Sequence, residues 1–328
     1  MKQTVPFLYY ALFLTLPAIL FGQEKKVIKI GMIGLDTSHA PAFTKIINSN
    51  QVPGGKVVAA VPQKSDDIES SYTRIDKYTT ALKDEYGVKM YDTIEAMLPH
   101  VDAVMVESVD GRPHLAQAKP CLEAGKPVFI DKPMCASLKD VIEIFEISKK
   151  TGTPVWSSSN LRYHDGVKAA AANEEIGEKR MVLSFGPASL EKNHIDLAWY
   201  GIHSTEALFT VMGTGCVSVS RTHTEGQDLV TGLWEDGRIG SVLGIREGKA
   251  HFGIKLFGTK AMAEEKVGGA YPGQMEAVMK FFQTGEVPVT PEETIEIFAF
   301  MEAADVSKER GGAPVKLSEV IEAAKSGK

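Results

Sequence analysis

The chain has three cysteines in 328 residues, Cys121, Cys135 and Cys216. The number is odd and no two are spaced C-x-x-C, which argues against a disulfide framework and a zinc knuckle and leaves buried packing as their role. No lysine- or arginine-rich block occurs, and the net charge is −6, so nucleic acid is not an expected partner. No period of 20–50 residues marks a solenoid, and no long low-complexity tract marks a disordered arm. Long apolar runs are also missing, with one exception at the N-terminus. There Lys2 precedes an apolar run from Val5 to Phe21 interrupted by Pro6 and Pro17, and Gly22 leads into a charged segment. This is the layout of a Sec-type signal peptide over residues 1–22, cleaved near Gly22–Gln23. The expected product is an exported protein, periplasmic or secreted, with no stable membrane anchor after cleavage. No cysteine adjoins the cleavage point and no Arg-Arg pair precedes the run, so neither a lipoprotein nor a twin-arginine signal is expected.

What is present is ordinary globular composition, 44% hydrophobic and 24% charged. The length suits two domains. From Val27 to about residue 160, short apolar strands alternate with helical segments. Strands are expected at Val27–Leu35, Pro53–Val61, Ala103–Val106 and Pro127–Ile130, and another in "TPVWSSS". Such alternation predicts an α/β doubly wound parallel sheet, whose ligand crevice lies at the carboxyl ends of the strands. After Gly166 apolar and polar residues alternate between turn signals, and "EDG" at Glu235–Gly237 reads as a hairpin turn. Residues 161–328 are therefore expected to form an α+β domain on a large, mostly antiparallel open sheet. Helices are expected at Ile202–Val211, Gln274–Thr284 and Pro291–Lys308.

The crevice residues depart from the usual dinucleotide fingerprint. "KIGMIGLDTSHAPAF", Lys29 to Phe43, has the strand, the turn and the helix start. A G-x-G-x-x-G counted from Gly34 would place glycines at Asp36 and His39. A carboxylate about 5 Å from a phosphate charge costs roughly 3 kcal/mol at an effective dielectric near 20, about a hundredfold in affinity. His39 could compensate by donating a hydrogen bond, and Asp36 and Ser38 are both good helix-capping residues. At the end of the second strand the acidic ribose ligand is absent. Lys64 stands there instead, which suits a 2′-phosphate, and Asp66 and Asp67 come late.

Four stretches carry a family resemblance: "VIKIGMIG", "CLEAGKPVFIDKPMCASLKD", "SNLRY" and "WYGIHSTEALFTVMG". The second resembles the A-L-x-A-G-K-x-V-x-x-E-K-P block, and the fourth resembles D-x-G-x-H-x-x-D, of the Gfo/Idh/MocA family of NAD(P)-dependent oxidoreductases. The resemblance implies a Rossmann domain over residues 23–160 and a substrate and oligomerisation domain over 161–328. It implies NAD or NADP as cofactor, a sugar or cyclitol as substrate, and a homo-oligomer. It carries the catalytic pair onto Lys132 and His203. Oxidising a secondary alcohol needs a base at the hydroxyl, a donor at the oxygen and an electron acceptor. Cofactor contacts are expected at Gly34, Asp36, Ser38, His39, Lys64, Glu107, His114 and Asp131. Substrate contacts are expected at Arg162, His194, Asp196, Tyr200 and Glu206.

Several of these have bland readings. Asp131-Lys132-Pro133 could be only a strand-end turn with a solvated lysine, Arg162 could equally serve an interdomain ion pair, His114 could simply sit in the first turn of a helix, and His203 alone could be a structural histidine. The family's aspartate four residues before the histidine is Trp199 here, while Glu206 keeps the acidic position three after it. His194, Asp196, His203 and Glu206 together could hold a divalent metal, although a hydrogen-bonded sugar site without metal is the preferred reading. Three functions stay open: a sugar oxidoreductase with tightly held NAD(P), a non-redox carbohydrate enzyme such as a lyase, hydratase or epimerase, and a carbohydrate-binding protein on the same fold.

Overall fold

A computed structural model of the chain describes Met1 and residues 27–327, so the expected signal peptide after Met1 lies outside the described residues. Six strands form the first sheet: β1 (Ile28–Ile33), β2 (Gly55–Val61), β3 (Lys89–Met90), β4 (Ala103–Val106), β5 (Val128–Ile130) and β6 (Val155–Ser157). They run in the order β3-β2-β1-β4-β5-β6, and every neighbouring pair is parallel. This is the doubly wound order in which the chain reverses direction between β1 and β4, opening a crevice there.

Burial on both faces explains why these strands read as continuous apolar runs. Every residue of β4, β5 and β6 is buried. Their side chains alternate between two cores, as the pleat requires. Val104, Val106, Val128 and Ile130 face helices His114–Glu123 and Leu138–Thr151, packing on Leu122, Val141 and Ile144. Ala103, Met105, Phe129 and Trp156 face the other way, onto Phe43 and Leu82 and onto Met275 and Phe281. The last two belong to helix Tyr271–Thr284, so a segment from late in the chain completes the core of the first sheet.

The second sheet has seven strands: β7 (Lys179–Pro187), β8 (Cys216–His223), β9 (Gln227–Trp234), β10 (Ile239–Ile245), β11 (Phe252–Gly258), β12 (Met262–Val267) and β13 (Val315–Lys316). Their order is β12-β11-β7-β10-β9-β8-β13. All pairs are antiparallel except β7 with β10. The β9–β10 hairpin closes where expected, with Gly237 at φ +85° and its N–H donating to Trp234 O at 2.9 Å. Helices Ile202–Met212 and Pro291–Glu309 cover one face. The other face leaves Val217, Leu229, Leu233 and Ile239 exposed. Among the described residues no helix is long and apolar enough to cross a membrane.

Candidate active site

The carboxyl ends of β1, β4 and β5 lie side by side. Ile33 pairs with Val106, and Val106 pairs with Ile130. The next residues are Gly34, Glu107 and Asp131. Gly34 has φ +80°, and a Cβ there would stand 2.5 Å from Ser108 N. Only glycine allows the β1 and β4 loops to approach this closely.

Asp36 does not point into the crevice as a phosphate neighbour would. Its carboxylate is fully buried. One oxygen accepts from Val109 N–H at 3.1 Å and the other from Ser71 Oγ at 2.6 Å. Burial raises its pKa, and these two bonds partly oppose the rise. Asp36 therefore braces its own loop to the loop after β4 and to the short helix Glu69–Tyr72, and the electrostatic penalty expected from the sequence is softened at its source. Neither Asp36 nor Ser38 caps helix His39–Asn48. Ser38 makes no side-chain cap bond, and Thr37 Oγ1 accepts the His39 N–H at 3.3 Å. The Ser38 side chain is left facing the cavity.

That cavity has a volume of about 510 Å³ and is lined by Ser38, His39, Lys132, Tyr200, His203 and Tyr271 among others. Residues from both sheets thus converge on a space of small-molecule size. A larger hollow of about 1000 Å³ around Asn173, Lys179 and Arg238 lies on the surface and gathers none of the strand-end residues. Lys132 follows Asp131 out of β5, half-buried, with Nζ 5.9 Å from the centre of the Tyr200 ring. Burial lowers its pKa, while Asp131 and Glu107 act to raise it. His203 stands in the first turn of helix Ile202–Met212, buried, with Nδ1 2.7 Å from Ser159 Oγ and its ring edge-on to Tyr200. Burial pushes the His203 pKa well below the usual imidazole value, and the Lys132 charge adds to this. The imidazole is therefore neutral at pH 7 and competent to accept a proton. His39 is held by Asp131, with Nδ1 2.6 Å from Oδ2, and packs against Phe43 and Tyr271.

Several expected contacts are placed elsewhere. Arg162 and Glu206 form an ion pair at 3.0 Å, and Arg162 also meets Glu293 at 2.8 Å. Glu206 also accepts the Ser159 N–H at 2.9 Å, one residue layer behind the cavity. His194 is enclosed, with Nδ1 2.7 Å from Glu191 and Nε2 accepting Gly111 N–H at 2.9 Å. Asp196 pairs with Arg221 at 2.8 Å and with Lys308, in a network that also holds Asp228 and Asp305. The metal set imagined from His194, Asp196, His203 and Glu206 is therefore not assembled, because three of its members are consumed by internal partners. His114 bridges two backbone carbonyls, Ser108 O at 2.9 Å and Met134 O at 3.0 Å, in the structural role of a first-turn residue. Lys64 pairs with Asp66 at the rim. Beside it Arg112 pairs with Asp67 at 2.6 Å and Asp110 at 2.8 Å. Ser159, Tyr271 and Arg112 were not singled out from sequence. Ser159 and Arg112 had a signal, since Ser159 opens the "SNLRY" stretch and Arg112 lies in the polar strand-end stretch Glu107–His114; Tyr271 had none.

Glu107 is the anomaly. It is fully buried and, among the described residues, neither carboxylate oxygen has a hydrogen-bond partner. Burial, with Asp131 nearby, raises its pKa well above the usual carboxyl value.

Residues 28–159 match the Gfo/Idh/MocA family model, described as an oxidoreductase family with an NAD-binding Rossmann fold. Among curated proteins, the inositol 2-dehydrogenase/D-chiro-inositol 3-dehydrogenase of Halalkalibacterium halodurans is 26% identical over 159 residues, 47% of this chain and 43% of that protein. The inositol 2-dehydrogenase of Gluconacetobacter diazotrophicus is 30% identical over 159 residues, 47% of this chain and 44% of its own length. The matched region thus spans less than half of these relatives. In fold the likeness extends along the chain. Scyllo-inositol dehydrogenase from Lactobacillus casei, solved with NAD(H) and scyllo-inositol, superposes with a TM-score of 0.74 at 17% identity, covering 89% of this chain and 100% of that one.

Proposed function

We propose that the chain, whose residues 28–159 match the Gfo/Idh/MocA family model, is an oxidoreductase of that family that oxidises or reduces a sugar or cyclitol at a hydroxyl or keto group with NAD(P). The observation that carries this reading is the shared cavity of Lys132 and His203 at the carboxyl edge of a β3-β2-β1-β4-β5-β6 sheet. The crevice fits a dinucleotide in part. The turn glycine is kept, Asp36 is folded inward, and Ser38 stands free at a helix N-terminus suited to an anion. Bound there, the nicotinamide would supply hydride exchange. His203 accepts the substrate hydroxyl proton in the oxidative direction, its neutral state secured by burial. Lys132 steadies the developing charge on the same oxygen. Tyr200 closes the cavity beside both.

A non-redox carbohydrate reaction is the second reading. It is favoured by one observation: the His39–Asp131 pair and Glu107 bring acid–base groups to the strand ends that a dinucleotide approaches. The apolar run from Val5 to Phe21 supports export to the periplasm or medium. The exposed apolar residues of the second sheet support a homo-oligomer assembled through that face.

The test begins with the mature protein denatured and its supernatant assayed for NAD(H) and NADP(H) by absorbance and mass. It continues with turnover on inositols and pyranoses in both directions. Lys132→Ala and His203→Ala are each expected to lower kcat by about 10²–10⁴-fold. No dinucleotide released and none bound in calorimetry would rule out the redox reading. Full activity of the double variant would rule out both catalytic assignments.

A further inference from the structure

We propose that His39, Glu107 and Asp131 form a binding site for a divalent first-row transition-metal ion behind the side of the cavity that His39 and Lys132 line. It differs in every residue from the metal set suggested by the sequence. The topology creates it. Glu107 and Asp131 directly follow the paired residues Val106 and Ile130, so they leave adjacent parallel strands side by side. The Asp131 N–H bonds to Val106 O at 2.8 Å and the Glu107 N–H to Ile33 O at 2.7 Å, which fixes both backbones. His39 reaches over from the β1 loop. One ligand atom from each of the three lies within 4.8 Å of the others, a spacing that a single cation can bridge.

The independent observation is the state of the oxygens. Both oxygens of Glu107 and Oδ1 of Asp131 are buried and, among the described residues, have no hydrogen-bond partner. Leaving a buried carboxylate unpaired is costly, and native proteins rarely leave such acceptors buried without a partner. Lys132 is the nearest cation in sequence, but it makes no ion pair with either carboxylate among the described residues; its charge acts only through space. Two carboxylates and a neutral imidazole balance a 2+ charge. That nitrogen–oxygen donor set suits Mn²⁺, Fe²⁺ or Zn²⁺ rather than a thiolate-seeking ion. Three protein ligands leave coordination positions open. His39 and Lys132 both line the cavity, so the ion would enter from there, and a polyol oxygen in the cavity could complete its shell.

The site does not depend on the redox reading, and its test contains neither dinucleotide nor sugar. The full mature chain is freed of metal with chelator and titrated with Mn²⁺, followed by electron paramagnetic resonance, and with Zn²⁺, followed by calorimetry. One equivalent per chain is expected. Glu107→Gln keeps the shape while removing the buried charge. It should weaken binding by more than about a hundredfold, beyond what loss of an outer-shell partner costs, with the melting temperature unchanged or raised. Asp131→Asn provides a second variant with the same expected loss should Glu107→Gln misfold. No binding of either cation at millimolar concentration would overturn the proposal. So would binding equally tight in folded wild type and variants, which would place the ion elsewhere.

Discussion

Glu206 is a buried acid whose titration should set part of the pH dependence of stability. It accepts hydrogen bonds from Ser159 N–H at 2.9 Å and Arg162 Nε at 3.0 Å, and Arg162 divides its charge with Glu293 at 2.8 Å. Burial is the largest influence and lifts the Glu206 pKa to about 7, against 4.5 for an ordinary glutamate; Arg162 only partly opposes it. A carboxyl with a higher pKa folded than unfolded binds more protons in the native state across that interval. Its contribution to stability is complete below pH 4.5 and is lost as pH rises through about 7. At 1.36 kcal/mol per pH unit the loss is about 3 kcal/mol. Glu206→Gln keeps an acceptor for Ser159 and does not titrate. Scanning calorimetry of both proteins at about pH 4.5 and pH 8 isolates the residue together with its ion-pair partners, because groups that do not interact with Glu206 cancel in the double difference. Wild type should lose about 6 °C more than the variant on going to the higher pH, taking about 2 °C per kcal/mol for a chain of this size. An offset equal at both pH values would refute the reasoning. It would mean that Arg162 outweighs burial and Glu206 is ionised throughout.

Two further substitutions examine the β1 turn. Asp36→Asn removes the charge but leaves a side chain able to meet one of its two partners. It should cost about 1–3 kcal/mol in stability, read as a lower melting temperature, and shift NADH affinity by less than about tenfold by fluorescence titration. A hundredfold tightening would show that the carboxylate faces the phosphates after all. Gly34→Ala should destabilise by at least about 2 kcal/mol, since it combines a positive φ with a Cβ 2.5 Å from Ser108 N. Gly87→Ala is the control, with φ +65° and nothing within 4 Å, and should cost only about 1 kcal/mol. Equal losses in the two would remove the close-approach argument.

The sequence was most legible where structure is local. The strand expected at Ala103–Val106 is found with those bounds, because four apolar residues between polar flanks have one way to be buried on both faces. The hairpin at Glu235–Gly237 is likewise specified by its own residues. The parallel pairing of β7 with β10 was not legible, since it joins strands more than fifty residues apart and leaves no local pattern. The same distinction separates the site residues. Lys132 and His203 stand in stretches with family spacing, and the two sheets do bring them to one cavity. Arg162, His194, Asp196 and Glu206 have the residue types of a sugar site, but type alone does not say whether the partner is substrate or protein. Here their partners are Glu293, Glu191, Arg221 and Ser159, each brought in by tertiary packing.

The β1 turn shows how far such packing can change a motif's meaning. Read along the chain, Asp36 and His39 are two lost glycines. In the fold, Asp36 replaces a phosphate-facing backbone with a brace onto Ser71 and Val109, and His39 turns to Asp131, 92 residues away. Both residues are buried, near Glu107, whose carboxylate oxygens have no hydrogen-bond partner among the described residues. A dinucleotide fold that had merely decayed would lose its glycines to residues facing solvent. Here the replacements are buried, hydrogen-bonded to specific partners and converge at the switch point between β1 and β4. The cation titration and the dinucleotide assay test separately whether that arrangement serves a bound group.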